Sequence, residues 1–474
     1  MSLDKNDSML APAILSISLL TIMASSAVSP ALPAIKNAFP DVDSTLIKLI
    51  LTLPSLIIIP FSLMSGWLVT KIDKKTILFT GLSIYLVAGV GGGFANNITT
   101  LLIIRGVLGV GIGLIMPLST TLIIDLFDAS KRAKIMGLQA SVNQFGGMLF
   151  LAVSGWLACF SWRYAFGVYS LAIVTMVMIA IWLPSLPKSD GKNIEKSKTD
   201  AKLHPGIFGI AFVGMVMMIV FFVVSTDLGL FIQSEKSVFT SNTKMFVDKS
   251  DLVTHLENGT VSEMTKNLFK ENGIKISDNS KLEKTENKFE WKITDGTKRF
   301  IIKKDNNKLA VSVTQGTPAI VGYALAFLTF SGIFAGLILN FLFKKIGFYL
   351  VPLAAILMGI GFFILAISSN LFTIFAAMPF IGLGGGLMTP PLMLKLPTLV
   401  APQMRAFAIA IVSSSIMFGQ FLSPVVLKWV TVIGHNNSFR FKFNFLSLFL
   451  IISSLLAMVI MTLFFRKENS KVEK

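Results

Sequence analysis

The sequence predicts an all-α polytopic membrane protein of two six-helix bundles, with a small α+β extracytoplasmic domain inserted into the second bundle. The 474 residues are 53% hydrophobic and only 14% charged, whereas soluble domains carry about 25% charged residues. Long apolar runs recur along the chain, each near the ~20 residues that cross a bilayer. The chain also matches itself at one constant offset, which indicates two related halves.

The apolar runs account for twelve spans. In lipid each must be a helix, because unpaired backbone groups are too costly there. The first run is too long for a cleaved signal sequence, and a second span follows it directly. The expected spans lie near 11–35, 44–70, 76–95, 99–127, 134–158, 163–184, 206–233, 316–343, 349–368, 371–394, 405–430 and 444–465.

Basic residues mark every second connection between the spans. The intervening short connections, 95–99 and 368–370, carry none. The positive-inside rule therefore predicts that both termini are cytoplasmic. The net charge of +17 then reflects loops on an anionic leaflet and a basic insertion, not nucleic-acid binding. The basic positions include Lys71, Lys74, Lys75, Lys131, Arg132, Lys134, Lys188, Lys192, Lys344, Lys345, Arg405, Arg466 and Lys467.

A shift of 273 residues superimposes the second half on the first. Matched positions include Lys71 with Lys344, Gly109 with Gly382, Pro117 with Pro390, Arg132 with Arg405, and Trp156 with Trp429. We therefore expect an N-terminal bundle over 1–185, a cytoplasmic linker over 186–205, and a C-terminal bundle over 206–235 and 316–474. The insertion occupies 236–315. Parallel repeats of this kind predict rocking of two halves around a midplane site.

The stretch SGWLVTKIDKK, 65–75, places several charges directly after a span. It resembles the loop motif G-x-L-x-D-R-x-G-R-K of the major facilitator superfamily, in its twelve-span drug-exporter-like branch. Thr70 and Asp73 depart from the pattern. In that family the loop caps helix ends and forms a charge relay that holds the outward-open state. The resemblance implies gating roles, with Asp73 replacing the missing carboxylate, for Gly66, Thr70, Lys71, Asp73, Lys74, Asp125 and Arg405. The alternative is a basic loop that only obeys the positive-inside rule.

The stretch LLIIRGVLGVGIG, 101–113, resembles the R-x-x-x-G-x-G motif on span four of the same family, with Leu108 where glutamine is usual. The resemblance implies that Arg105 serves proton coupling or binds anionic groups, and a charge inside a span is costly enough to suggest function. The alternative is an arginine that snorkels to the outer surface.

Span five carries glycines at positions where exporters of the family have them, but its Gly-Pro pair is absent; the second-half stretch FGQFLSPVV has a proline at the corresponding place. Small residues at such spacing permit close helix packing, a role we assign to Gly109, Gly113, Gly137, Gly146 and Pro424. Polar residues on one stripe of span five are expected to face the cavity: Gln139, Asn143 and Gln144, joined from span eleven by Gln420.

Spans one, two, three and five contain no carboxylate, which exporters of cationic drugs usually need. Asp227 in span seven is the one candidate. It either carries the proton or only caps or tethers the insertion. The positive potential of Arg105 favours neutral or anionic amphipathic substrates.

The insertion has the composition of a soluble domain. TVSE, 260–263, is a capping box that predicts a short helix through Phe269. KFEWKITDGTKRFIIKK alternates apolar and polar residues around Asp295-Gly296, which predicts a hairpin. With His255 as its one histidine and no cysteine, a metal site is not expected. A lid, a partner- or wall-binding module and an inert insertion are equal alternatives.

We therefore expect a secondary active transporter, not an enzyme, that exports or exchanges small amphipathic organic compounds across the bacterial plasma membrane. It would be a monomer in the lipid bilayer without cofactor or metal, coupled to protons or an exchanged anion. Two alternatives remain: a bile-salt or organic-anion exchanger of the same fold, and a non-transporting sensor that uses the outer domain.

Overall fold

The computed structural model describes residues 5–184, 204–234, 241–247, 281–284, 290–295, 298–305, 308–315, 317–400 and 405–472. Outside one small sheet these residues are almost entirely helical.

The first part of the chain forms seven α-helices joined by short 3-10 segments at Ser29–Ala31, Gly92–Phe94 and Trp162–Leu171. Side-chain caps fix three of the helix starts by accepting orphan N–H groups: Asp43 accepts from Thr45, Asp73 from Thr76 and Asn97 from Thr100. The helices are α1 (Lys5–Ser26), α2 (Leu32–Ala38), α3 (Ser44–Leu68), α4 (Lys74–Gly91), α5 (Ile98–Leu126), α6 (Ala129–Phe160) and α7 (Ala172–Trp182).

The second part forms α8 (Gly206–Ser234), α9 (Thr317–Ile346), α10 (Leu350–Ala366), α11 (Leu371–Leu399), α12 (Arg405–Ile433) and α13 (Phe439–Val472). Between α9 and α10 the chain reverses within the 3-10 turn Gly347–Tyr349. Gly347 adopts a φ of 55° there, a left-handed conformation that glycine reaches without steric cost.

By length and composition, ten helical stretches of the described chain could cross a membrane. One of them, Pro318–Ala366, contains both α9 and α10, and α1 holds a shorter apolar segment, Met9–Thr21. The prediction of about a dozen apolar transmembrane helices is therefore confirmed, although boundaries differ by a few residues.

Two large hydrophobic cores divide the helices. The first is built from residues between Leu10 and Leu183, with Phe222 as its one buried contribution from beyond them. The second is built from residues between Met217 and Leu450, with Leu151 added from α6. The halves meet most closely where α6 crosses α9. A Cβ on Gly155 would lie 2.6 Å from the carbonyl oxygen of Pro318, so a side chain there would push the helices apart.

A five-stranded antiparallel sheet lies between α8 and α9 in the chain, with strand order β1-β5-β4-β3-β2. Its strands are β1 (Ser241–Val247), β2 (Lys281–Lys284), β3 (Glu290–Asp295), β4 (Lys298–Asp305) and β5 (Lys308–Gln315). Asp295 pairs with Lys298 across the turn between β3 and β4. The helix predicted over 260–269 lies outside the described residues. We call the end of the helical bundle that carries this insertion the insertion end.

Candidate functional site

A cavity of about 350 Å³ lies between the two halves. Helices of both halves line it, and none of its described lining residues is charged. Most of the lining is apolar, including Met218, Phe221, Phe222 and Met417. Six polar side chains face it: Thr21, Ser55, Gln144, Ser225, Thr329 and Gln420.

Two of these polar groups have no hydrogen-bond partner within the part of the chain that the structure describes. The amide Nε2 of Gln420 and the hydroxyl of Ser55 are both buried and unpaired. Buried polar groups are nearly always satisfied, so an exception at a cavity suggests that a ligand supplies the missing bond. Ser55 lies on α3 and Gln420 on α12, so the two halves contribute one uncommitted group each.

Gln420 also lies where one backbone hydrogen bond of its helix is missing. Pro424 follows it by one turn inside α12, and proline has no N–H to offer the carbonyl of the residue four positions earlier. The neighbouring Ser423 donates to the carbonyl of Ile219 at 2.8 Å, which ties α12 to α8 at this level. The predicted packing position Pro424 therefore adjoins the cavity wall.

Arg105 lies in the core of the first half rather than at the cavity. It is completely buried, so the snorkelling alternative is wrong. Nε donates to the carbonyl of Ile50 on α3, and Nη1 donates to the hydroxyl of Tyr169, both at 2.8 Å. The guanidinium also lies 5.8 Å from the ring centre of Phe166. Arg105 therefore joins α5, α3 and the 3-10 segment that precedes α7.

The predicted polar stripe of span five is divided between two environments. Gln144 lines the cavity. Gln139 instead donates to the hydroxyl of Ser18 and connects α6 with α1. Asn143 keeps a buried Oδ1 without a described partner, but it is not among the cavity-lining residues. The structure therefore brings Gln144 and Gln420 to one site and leaves Gln139 and Asn143 beside it.

Asp227 forms a buried charge cluster at the insertion end. Lys48 of α3 lies 2.6 Å from its Oδ1, and Lys442 of α13 lies 4.0 Å from the same oxygen. The hydroxyl of Thr226 donates to Oδ2 at 2.8 Å. Asp227 is completely buried, and its described partners are Lys48, Lys442 and Thr226; whether it carries a proton or tethers the insertion stays a prediction. Sequence reasoning missed both lysines, although a lysine five residues inside α3 is itself a costly position in a membrane.

The residues of the loop motif separate into distinct contacts. Lys74 is buried and pairs with Asp125 of α5 at 2.5 Å. Asp73 caps α4 by accepting the N–H of Thr76, and Thr70 donates to the carbonyl of Trp67. Of the remaining gating candidates, Lys71 and Gly66 are exposed, and the side chain of Arg405 lies outside the described part.

The predicted packing glycines differ in what surrounds them. A Cβ on Gly109 would lie 2.8 Å from the carbonyl oxygen of Pro54, and one on Gly113 would lie 2.7 Å from Phe61, both on α3. A Cβ on Gly146 would overlap Leu19 of α1. Gly137 is exposed and has open space around it, so its assignment to helix packing is wrong.

Comparison with known proteins decides the family. The sequence model of the Major Facilitator Superfamily matches residues 14–239 and 302–474. The chain belongs to the Major Facilitator Superfamily. The match omits 240–301, which holds most of the sheet. With ten helical stretches of its described part able to cross a membrane, the chain is a multi-pass membrane protein that belongs to a transporter superfamily and not to an enzyme family. Among the described residues, no group of three His, Cys, Asp or Glu side chains is placed to hold a metal ion.

Curated relatives in this superfamily are similar over part of their length. The multidrug transporter protein MdtP of Bacillus subtilis (strain 168) is 30% identical over 130 residues, which is 27% of this chain and 24% of MdtP. The multidrug efflux pump SdrM of Staphylococcus aureus (strain N315) is 27% identical over 207 residues, 43% of this chain and 45% of SdrM. The chain thus aligns with less than half of either relative.

The fold extends over nearly the whole chain. The solved structure of a bacterial homologue of the human lysosomal transporter Spinster, in its inward-facing and occupied conformation, superimposes with a TM-score of 0.62. The alignment covers 97% of both chains at 12% identity. This likeness shows the shared major facilitator fold.

Proposed function

We propose that the chain is a secondary active exporter of uncharged amphipathic organic compounds. The proposal rests on the cavity between the halves, because its described lining has amide and hydroxyl groups but no carboxylate. A cationic or anionic substrate buried there would lack a counter-charge, and an isolated buried charge is strongly disfavoured. An uncharged compound meets no such penalty.

The chemistry of the lining narrows the substrate class further. The free N–H of Gln420 and the hydroxyl of Ser55 suit a substrate with carbonyl, ether or hydroxyl oxygens,. Met218, Met417 and the phenylalanines supply an adaptable apolar surface for its remaining bulk,. The cavity volume of about 350 Å³ falls within the range of small-molecule sites, about 300–1,000 Å³.

Alternating access is the mechanism that the contacts between halves favour. At the insertion end Lys48 pairs with Asp227, Lys428 lies 3.4 Å from Asp43, and Ser29 donates to the carbonyl of Ser225. Breaking these contacts would open the cavity at that end. On the positive-inside argument, the insertion end faces outward and both termini are cytoplasmic.

One sequence relative, SdrM, is named a multidrug efflux pump, which supports export. Both MdtP and SdrM are named as multidrug transporters. The gating role of the loop remains part of the proposal, now centred on Lys74 and Asp125, the two residues that the structure pairs. The sheet would form an α+β extracytoplasmic domain with the predicted helix, as an addition that the superfamily model does not include.

A second candidate is exchange of organic anions such as bile salts. One observation favours it: Lys48 and Lys442 give the insertion-end cluster one positive charge more than Asp227 neutralises. Such a surplus would attract an anion that approaches from that end.

The test is transport by the purified full-length chain in proteoliposomes under an imposed pH gradient. Three amphipathic probes are compared: an uncharged steroid, the bile salt cholate and a cationic dye. We expect movement of the steroid, of cholate, or of both, and none of the dye. Acceleration of cholate by cholate on the opposite side would select the exchanger. Movement of the dye would contradict the proposal.

A matched pair of variants links transport to the cavity. Gln420→Leu removes the uncommitted amide, whereas Gln139→Leu changes the same residue type on α6 away from the cavity lining. Gln420→Leu should raise the KM several-fold, because one hydrogen bond contributes about 0.5–1.5 kcal/mol. Gln139→Leu should leave the KM unchanged. Equal KM values for both variants would remove the cavity from the proposal.

A further inference from the structure

We propose that Asp227 exchanges one lysine for another as the transporter changes state: Lys48 holds it when the insertion end is closed, and Lys442 holds it when that end is open. This rests on the proposed alternating access. It adds two residues, Lys48 and Lys442, that set the conformational equilibrium without contacting the substrate.

The first step is the geometry of the three charges. Lys48 belongs to α3 in the first half, whereas Asp227 and Lys442 belong to α8 and α13 in the second. In this structure Lys48 makes a 2.6 Å contact with Oδ1, and Lys442 is 4.0 Å away, beyond hydrogen-bond distance. Asp227 therefore has one short bond to Lys48 across the halves, and a second cation, Lys442, lies nearby within its own half.

The second step is what moves together. The ring of Phe231 on α8 packs against Phe443 of α13 at 5.3 Å and against Phe439 at 6.1 Å. These contacts hold α8 and α13 as one unit near the cluster. When the halves separate, the distance from Asp227 to Lys48 must grow, while the distance from Asp227 to Lys442 is kept or shortened.

The third step is the cost of a bare carboxylate. A buried charge that loses its only partner is strongly destabilising. The side chain of Asp227 is 0% exposed and that of Lys442 only 12%. Without Lys442, opening would leave Asp227 unpaired in a poorly hydrated place. With Lys442 the carboxylate keeps a cation in both states, so the barrier to opening is lower.

A further cation of α13, Arg440, is engaged elsewhere. Arg440 donates to the carbonyl oxygens of Ala366 and Ser368, at 3.0 and 2.7 Å. The ammonium of Lys442 instead lies 4.5 Å from the ring centre of Phe439. That contact keeps Lys442 near Asp227 while Lys48 is paired with the carboxylate of Asp227.

The experiment reads the opening of the insertion end directly, without transport. Ser29 is buried at the cross-half contact, so Ser29→Cys reports opening there. The reporter is built into Cys159→Ser, which removes the chain's single cysteine. The full-length protein in lipid nanodiscs is labelled with a maleimide, and Thr99→Cys, at an exposed position, controls for reagent chemistry.

Three charge variants are then compared: Lys48→Met, Lys442→Met and the double variant. Lys48→Met should accelerate labelling of the reporter by about fivefold or more, the range of typical coupling between states. Lys442→Met should slow labelling when Lys48 is present, and should change it little when added to Lys48→Met, because Lys442 then reaches Asp227 in both states. The opposite signs follow because each lysine stabilises a different state.

A different result is expected if both lysines only stabilise the closed state. If both single variants accelerate labelling, and the double variant is faster still, Lys442 merely strengthens the closed state and the exchange is wrong. Unchanged labelling in all three variants would also overturn it. Because the readout is labelling, failure of the exchange is distinguishable from failure of the proposed substrate class, which transport alone tests.

Discussion

Arg105 donates to one of the two carbonyls of α3 that a proline leaves without its usual helical donor: the carbonyl of Ile50, four residues before Pro54. Proline inside a helix removes an N–H that would otherwise bond this oxygen. The guanidinium of Arg105 replaces it at 2.8 Å and reaches Tyr169 with its other end. The buried guanidinium of Arg105 therefore supplies the hydrogen bond that Pro54 cannot donate inside α3.

This relationship predicts a specific double-mutant effect. Arg105→Met should destabilise the protein by about 2–4 kcal/mol, because two charge-assisted hydrogen bonds are lost in a buried place. Adding Pro54→Ala should recover about 1 kcal/mol, since this substitution restores a backbone N–H that can bond the carbonyl of Ile50. The midpoint of thermal unfolding in a single detergent measures both effects. Additive losses in the double variant would show that the proline and the arginine are not coupled.

Substitution of glycine by alanine should have opposite effects on stability at Gly109, which is closely packed, and at Gly137, which has open space around it. Gly109→Ala places a methyl group 2.8 Å from the carbonyl oxygen of Pro54, so it should destabilise by about 1–3 kcal/mol. Gly137→Ala meets nothing and should stabilise by up to about 1 kcal/mol through helix propensity. Thermal unfolding of the two variants side by side provides the comparison. A loss from Gly137→Ala as large as that from Gly109→Ala would contradict this assignment.

The Lys74–Asp125 pair predicts an asymmetry between its two ends. The side chain of Lys74 is 8% exposed and that of Asp125 is 34% exposed. Removing Lys74 leaves a carboxylate that water can reach, so Lys74→Met should cost under about 1 kcal/mol. Asp125→Ala leaves a buried ammonium without its counter-ion and should cost about 2–3 kcal/mol. The difference between their unfolding midpoints tests this, with Lys71→Met as an exposed control that should change little.

Asp43 predicts a pH dependence at the start of α3. Hydrogen bonds from Thr45, followed by the attraction of Lys428, hold the pKa of this carboxyl below its usual 3.8. An acid whose folded-state pKa is depressed stabilises above its ordinary pKa and loses that contribution as pH falls through the lowered value. Asp43→Ala should therefore cost about 1 kcal/mol at neutral pH through loss of the cap. That cost should stay constant from pH 8 to pH 5 and shrink only below about pH 4.

The parent and Asp43→Ala proteins are compared by thermal unfolding at each pH. A difference that already declines between pH 7 and pH 5 would mean that the carboxyl titrates above its ordinary range, contrary to the contacts.

The spans and the superfamily were predictable because hydropathy and short motifs are local properties. The partners of the buried charges were not. Lys48 and Asp227 are 179 residues apart, and nothing in either neighbourhood specifies the other. That Arg105 would bond the carbonyl of Ile50 was not predictable either, because it requires the packing of α3 against α5. The stripe of span five failed for the same reason: spacing put Gln139 and Gln144 on one helix side, whereas the contact with Ser18 drew Gln139 away.

The sheet begins and ends on adjacent strands: Ser241 of β1 pairs with Val313 of β5, and Val247 pairs with Leu309. The chain therefore enters and leaves the insertion at neighbouring points, as do domains that tolerate transplantation into a host protein. A segment with this geometry can be replaced without changing the positions at which α8 ends and α9 begins. The connection between α8 and α9 is therefore a suitable place to insert a reporter domain into the transporter.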